Sequence, residues 1–272
     1  MISVTEGTTE GAAGRPRVRT EIDGEVWRIT LDRAEAGNAL DPQMAHDLGA
    51  ALAARPDDTR VVLLLGEGER FCVGGDVRYF AGADDPGEAV GALAHDWHEV
   101  VRRLLACPVP VVAGVQGAVA GAAIGLVGSC DIVVAARSTK FRPAYGALGF
   151  SPDGGSSWAL TRALGAPRAL ELMLTNGSLS AADAHLFGLV GRLVEDAALH
   201  TEAIALAHAV AAGPVRAMVR TRALVRRAAT RSLEEQLDDE ARLIAESAAD
   251  PEGREGVRAF LEKRTPDFRA RG

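Results

Sequence analysis

The sequence predicts an α/β fold with a sheet-based core followed by a helical region, and three observations carry that expectation. Apolar runs at 61–65, 109–115 and 132–135 read as strands buried on both faces, and a helical stretch around 90–105 parts the first two in a βαβ rhythm. Beyond Gly165 the pattern turns helical and strand signals nearly stop. The composition, 47% hydrophobic, 25% charged and only 4% aromatic with 30 glycines in 272 residues, suits a tightly packed α/β protein rather than a fibrous or disordered one.

The elements follow in order. Residues 18–22 and 26–31 are short β-type runs parted by Asp23-Gly24, a two-residue hairpin signal. Asp41-Pro42 opens a helix, with the aspartate as N-cap and the proline at the first helical position, and Met44, Leu48 and Leu52 recur at helical spacing. Residues 117–129, rich in Gly and Ala, read as a turn entering a short buried helix. Further helices are expected over 167–174, 180–187, 197–212, 214–229 and 232–248. The chain thus divides into a loose polar tail at 1–16, a core at 17–195 and a helical region at 196–272, with no flexible linker between the last two.

Charge and cysteine use exclude several classes of function. A net charge of -7 argues against non-specific nucleic-acid binding, which needs a basic face. Cys72, Cys107 and Cys130 show neither CxxC nor Cys/His spacing, so no disulfide framework and no metal site is indicated, and a reducing cytoplasm fits. The first 16 residues hold no apolar run of signal-peptide length, and no uncharged apolar run reaches the roughly 18 residues of a membrane span.

Three loops follow apolar strands, at the strand ends where open α/β sheets place ligands. In Arg70-Phe71-Cys72-Val73-Gly74-Gly75-Asp76 the paired glycines either form a plain tight turn or leave an amide clear of side chains. Gly117-Ala118-Val119-Ala120-Gly121-Ala122-Ala123-Ile124-Gly125 enters a helix whose free amides favour negative charge, and its spacing is not the GxGxxG of dinucleotide binding; helix packing is the other reading. In Leu148-Gly149-Phe150-Ser151-Pro152-Asp153-Gly154-Gly155 the aspartate either caps the next helix or serves chemistry.

Together these loops, with Asn38-Ala39-Leu40, the run Pro110-Val111-Val112-Ala113-Gly114-Val115-Gln116-Gly117, Cys130-Asp131-Ile132 and the tail Phe260-Leu261-Glu262-Lys263-Arg264, resemble the crotonase, or enoyl-coenzyme A hydratase/isomerase, superfamily over about residues 17–268. The resemblance implies a crotonase-like spiral of ββα turns with a C-terminal helical trimerisation region, assembled as a homotrimer or a dimer of trimers. It implies an acyl-CoA thioester as substrate, with coenzyme A as part of that substrate and no permanently bound cofactor or metal. By motif position the backbone N–H groups of Gly75 and Ala122 form the oxyanion hole, which holds charge developing on the thioester oxygen. Asn38, Ala39, Leu40 and Gly74 neighbour the coenzyme A, mostly through backbone groups. Phe260 and Lys263 match positions where a neighbouring subunit meets its phosphate and adenine end, although Lys263 also reads as a surface charge. Arg33, after the second strand, is a weaker phosphate candidate.

The departures point to the reaction. The hydratases of the family use two glutamates, and here those positions read Gly125 and Tyr145. Water addition needs a base for water and an acid for the α-carbon, and neither residue suits that work. Asp153 stands where several isomerases of the family carry a carboxylate. One carboxylate beside an enolate hole suffices to shift a double bond from the 3,4 to the 2,3 position, as in fatty-acid metabolism, or to isomerise an epoxidised phenylacetyl-CoA in phenylacetate catabolism. Two other readings stay open. One is a hydrolase like 4-chlorobenzoyl-CoA dehalogenase, with Asp153 as nucleophile and His98 of Trp97-His98 as base. The other is a non-catalytic acyl-CoA-binding or assembly subunit. The charged runs 220–227 and 234–240 are expected to be solvated or to face other subunits.

Overall fold

A computed structural model of the chain describes residues 15–269. Most of the tail expected at 1–16 lies outside the described residues, as do the last three positions. The hairpin forms from β1 (Val18–Asp23) and β2 (Val26–Leu31), with Gly24 and Glu25 at its tip, one residue later than the Asp23-Gly24 signal, because Asp23 still pairs with Val26. Then come α1 (Pro42–Ala53), β3 (Val61–Gly66), α2 (Val77–Ala81), α3 (Pro86–Leu105), β4 (Val111–Val115), β5 (Ala118–Ala120), α4 (Ala122–Val127), β6 (Ile132–Ala136) and β7 (Lys140–Arg142). Next are α5 (Ser156–Leu164), α6 (Ala166–Leu174), β8 (Leu179–Ser180), α7 (Ala181–Leu186), β9 (Arg192–Val194), α8 (Leu199–Ala211), α9 (Val215–Ala228), α10 (Leu233–Ala249) and α11 (Pro251–Glu262).

Six strands form one sheet in the order β1-β2-β3-β4-β6-β9, parallel from β2 onward. Its centre is β3, Val-Val-Leu-Leu-Leu-Gly, buried at every position as a parallel strand covered on both faces must be. On one face Trp27, Ile29, Val62 and Leu64 meet α1 and α3 through Met44, Leu48, Val100 and Leu104. On the other, Val61, Leu63, Leu65 and Val134 meet Leu199, Ala203 and Leu206 of α8. The first helix of the expected helical region is therefore a layer of the core. A second, three-stranded layer, β5-β7-β8, was not legible in the sequence, because its strands are only two or three residues long. It continues the single bridges Leu40 to Gly75 and Cys72 to Val119. Successive turns thus add one strand to the large sheet, the next segment to the small layer, and then a helix, which is the ββα spiral the resemblance implies.

Asp41 caps α1 as expected, its Oδ1 accepting the Met44 N–H at 2.8 Å. Helix α9 is tied to the core by arginines, which corrects the expectation of solvated or subunit-facing charges there. Arg222 bonds the Val109 carbonyl and Asp131, both at 3.0 Å, and Arg226 bonds the carbonyls of Leu105 and Ser129 and the other Asp131 oxygen. Among the described residues no single helix is long and apolar enough to cross a membrane.

Candidate active site

Gly74 takes φ +87°, and a Cβ on it would stand 2.9 Å from the Ala120 carbonyl oxygen, so glycine lets the first and second loops touch main chain to main chain. The amides that follow this contact, Gly75 and Ala122, both face one cleft of about 640 Å³. Among the described residues neither N–H donates to a protein acceptor. Ala122 is the first residue of α4, where an N–H has no partner within the helix. Its methyl lies against Gly154.

The opposite wall is the third loop. Helix α5 starts after Gly155 with no side-chain cap, which removes the capping role considered for Asp153. Instead Asp153 Oδ1 accepts the Tyr145 hydroxyl at 2.7 Å. The same hydroxyl lies 3.0 Å from the Asp153 main-chain oxygen and 3.1 Å from Ser156 Oγ. Burial, and then the adjacent Asp153 charge, push the Tyr145 hydroxyl well above the usual tyrosine range, so at neutral pH it is a donor. Ser156, fully buried, donates to the Gly121 carbonyl at 2.8 Å. His98 Nε2 accepts the Gly154 N–H at 3.0 Å; that bond puts the ring proton on Nδ1 and occupies the lone pair that a base would use.

Apart from Ser151 the rest of the lining is apolar, from Leu40, Val77, Phe80, Val90, Leu93, Trp97, Leu148 and Phe150, and among the described residues its titratable side chains are Asp153 and Tyr145. Phe80 and Phe150 pair with ring centroids 5.9 Å apart. A Cβ at Gly125 would fall 1.9 Å from the Gly154 carbonyl oxygen. The third loop occupies the space that a side chain there would need. Among the described residues no group of His, Cys, Asp or Glu side chains is arranged to hold a metal.

Of the other expected ligand neighbours, Leu40 and Gly74 line the cleft, whereas Asn38 and Ala39 lie buried behind it. The Asn38 side chain is spent inside the protein: Oδ1 accepts the Arg33 N–H at 2.8 Å, and Nδ2 donates to the carbonyls of Glu67, Arg70 and Phe71 within 3.0 Å. Arg33 is not free for a phosphate, because its guanidinium is paired with Asp41 at 3.1 Å and Asp76 at 2.8 Å. Phe260 and Lys263 sit exposed at the end of α11, away from this chain's own cleft. Sequence reasoning missed the roles of Tyr145 and Ser156. The available signal was a hydroxyl-bearing residue where the family's hydratases carry an acid.

The sequence pattern of the enoyl-CoA hydratase/isomerase family matches residues 21–271. The 1,2-epoxyphenylacetyl-CoA isomerase of Escherichia coli is 37% identical over 259 residues, covering 92% of this chain and 97% of that protein. A Rhodobacter capsulatus protein named "Probable enoyl-CoA hydratase" is 36% identical over 254 residues, 93% of this chain and 98% of its own length. The crystal structure of an enoyl-CoA hydratase from Polaromonas superposes with a TM-score of 0.87 at 33% identity, over 92% of this chain and 98% of that one. The chain belongs to the enoyl-CoA hydratase/isomerase family.

Proposed function

We propose that this protein is an acyl-CoA isomerase that shifts a double bond through a thioester enolate, with Asp153 as its acid and base. The observation that carries the reading is the cleft's inventory: two partnerless amides and one carboxylate, with no room for a second acid at Gly125. The thioester oxygen accepts from the Gly75 and Ala122 N–H groups, each worth about 3 kcal/mol to a developing oxyanion. Asp153 takes the α-proton of a 3-enoyl thioester, the electron pair spreads to the oxygen, and the resulting carboxylic acid returns the proton at the γ-carbon to give the 2-enoyl product. The exposed Phe260 and Lys263 would serve the coenzyme A end of a thioester bound by a neighbouring copy.

A second reading, isomerisation of an epoxidised phenylacetyl-CoA, is favoured by the aromatic lining of Phe80, Trp97, Tyr145 and Phe150 and by the likeness to the Escherichia coli enzyme. It uses the same base and hole. Hydration is opposed by the crowding at Gly125, and the dehalogenase-like reading by the engaged Nε2 of His98. The test is solvent-deuterium exchange at the α-carbon of bound acyl-CoA. Asp153→Asn is expected to bind the thioester and lose exchange; exchange persisting at the wild-type rate removes Asp153 as the base.

A further inference from the structure

The two walls of the cleft are joined by hydrogen bonds that run from the base to the peptide group of the oxyanion hole. Asp153 Oδ1 meets Tyr145 Oη at 2.7 Å, Tyr145 Oη meets Ser156 Oγ at 3.1 Å, and Ser156 Oγ meets the Gly121 oxygen at 2.8 Å. That oxygen belongs to the peptide whose N–H is the Ala122 amide. A donor on an amide's oxygen polarises the unit and strengthens its N–H as a donor, and hydrogen bonds in a chain reinforce one another.

We infer that Tyr145 and Ser156 are positioning residues that couple the charge state of Asp153 to the strength of the Ala122 oxyanion donor. The inference rests on the isomerase reading above and deepens it. While Asp153 is ionised, its carboxylate is the strongest acceptor within reach, and the Tyr145 proton goes to it. Tyr145 thereby engages Oδ1 and leaves Oδ2 to meet substrate. When Oδ2 has taken the α-proton, the carboxyl group is neutral and the pull on the tyrosine proton weakens. The hydroxyl then turns to Ser156 Oγ, while the Ser156 proton stays on the Gly121 oxygen. The two hydrogen bonds that then join Tyr145 to Ser156 and Ser156 to the Gly121 oxygen both point toward the Gly121-Ala122 peptide, and they do so in the one state where the substrate oxygen carries negative charge. No proton leaves the network: the chain ends on a backbone carbonyl, which holds a hydrogen bond but does not take up the proton. Tyr145 therefore orients and does not conduct. The Gly121 oxygen keeps a second donor, the Ile124 N–H at 3.1 Å, so removal of the serine hydroxyl does not orphan it.

The charged and titratable groups against Asp153 are Tyr145 from the segment before it and His98 of α3, which reaches its loop through the Gly154 amide.

The experiment uses a 3-enoyl-CoA labelled with carbon-13 at the thioester carbonyl, read by infrared difference spectroscopy and by α-proton exchange in the full chain. Ser156→Ala and Tyr145→Phe are each expected to move the bound carbonyl stretch toward its frequency in water and to slow exchange roughly tenfold, about the worth of one hydrogen bond. Thioester affinity should stay within about twofold, and the double variant should lose less than the product of the two single losses. Unchanged carbonyl bands, or losses that simply multiply, overturn the coupling. If Ser156→Ala does not fold, Tyr145→Phe carries the test alone through the carbonyl band and the exchange rate. Asp153→Asn run alongside separates the failures: exchange retained there removes base and coupling together, whereas exchange lost there with unmoved bands in the other variants removes the coupling alone.

Discussion

The two walls of the cleft are built on opposite principles. The donor wall is main chain, set by the close approach of Gly74 to Ala120, and its functional groups are amides that every sequence carries. The base wall is made of side chains: Asp153 is held by Tyr145, the Gly154 amide by His98, and the Gly121 carbonyl by Ser156. Glycine-lined contacts tolerate almost no added atom, because the obstacle is backbone that cannot swing aside. A wall of hydrogen-bonded side chains fails by degrees, one bond at a time.

That contrast ranks the expected effects of substitution. The largest belongs to Gly125→Glu, which restores a family glutamate on paper. With the Gly154 oxygen 1.9 Å from any Cβ, the variant should lose exchange, gain no hydration, and lose roughly 3 kcal/mol or more of stability in chemical denaturation. A variant that folds normally and hydrates 2-enoyl thioesters would break the comparison. Gly74→Ala comes next, since its φ of +87° and its Ala120 contact both disfavour a methyl; destabilisation of roughly 2 kcal/mol with exchange reduced at least about tenfold is expected in parallel chemical-denaturation and exchange measurements. The smallest effect is expected for His98→Gln, which retains an acceptor for the Gly154 N–H and should change kcat by less than about threefold. A loss beyond about a hundredfold there, with a covalent adduct on Asp153 in rapid-quench mass spectrometry, would instead favour hydrolytic chemistry.

Sequence patterning reached the large sheet because its strands are long and apolar: β3 is buried throughout, and the capped start of α1 carries its own Asp-Pro signature. It did not reach the second layer, where β5, β7 and β8 draw their order from neighbouring turns rather than from any periodicity of their own. The same divide runs through the site. Gly75, Ala122 and Asp153 stand in motifs, and the cleft brings them together. Asn38 was expected beside the ligand through its backbone, and no motif announced that its side chain would make four hydrogen bonds inside the protein. Tyr145 and Ser156 were silent because a hydrogen bond across eight or eleven residues of irregular loop leaves no spacing rule behind. Arg222 and Arg226 read as surface charge until the fold placed Asp131 and four carbonyls of the core around them.

The proposed isomerase chemistry is proton transfer without water addition, and product analysis in oxygen-18 water tests it directly. The protein is incubated with a 3-enoyl-CoA and, separately, with its 2-enoyl isomer, and the acyl groups are weighed by mass spectrometry. Interconversion of the two isomers with no oxygen-18 in either is the expected result. Accumulation of an oxygen-18-labelled 3-hydroxyacyl thioester at a comparable rate would contradict it, because a second acid or base would then have to be acting where only Asp153 stands.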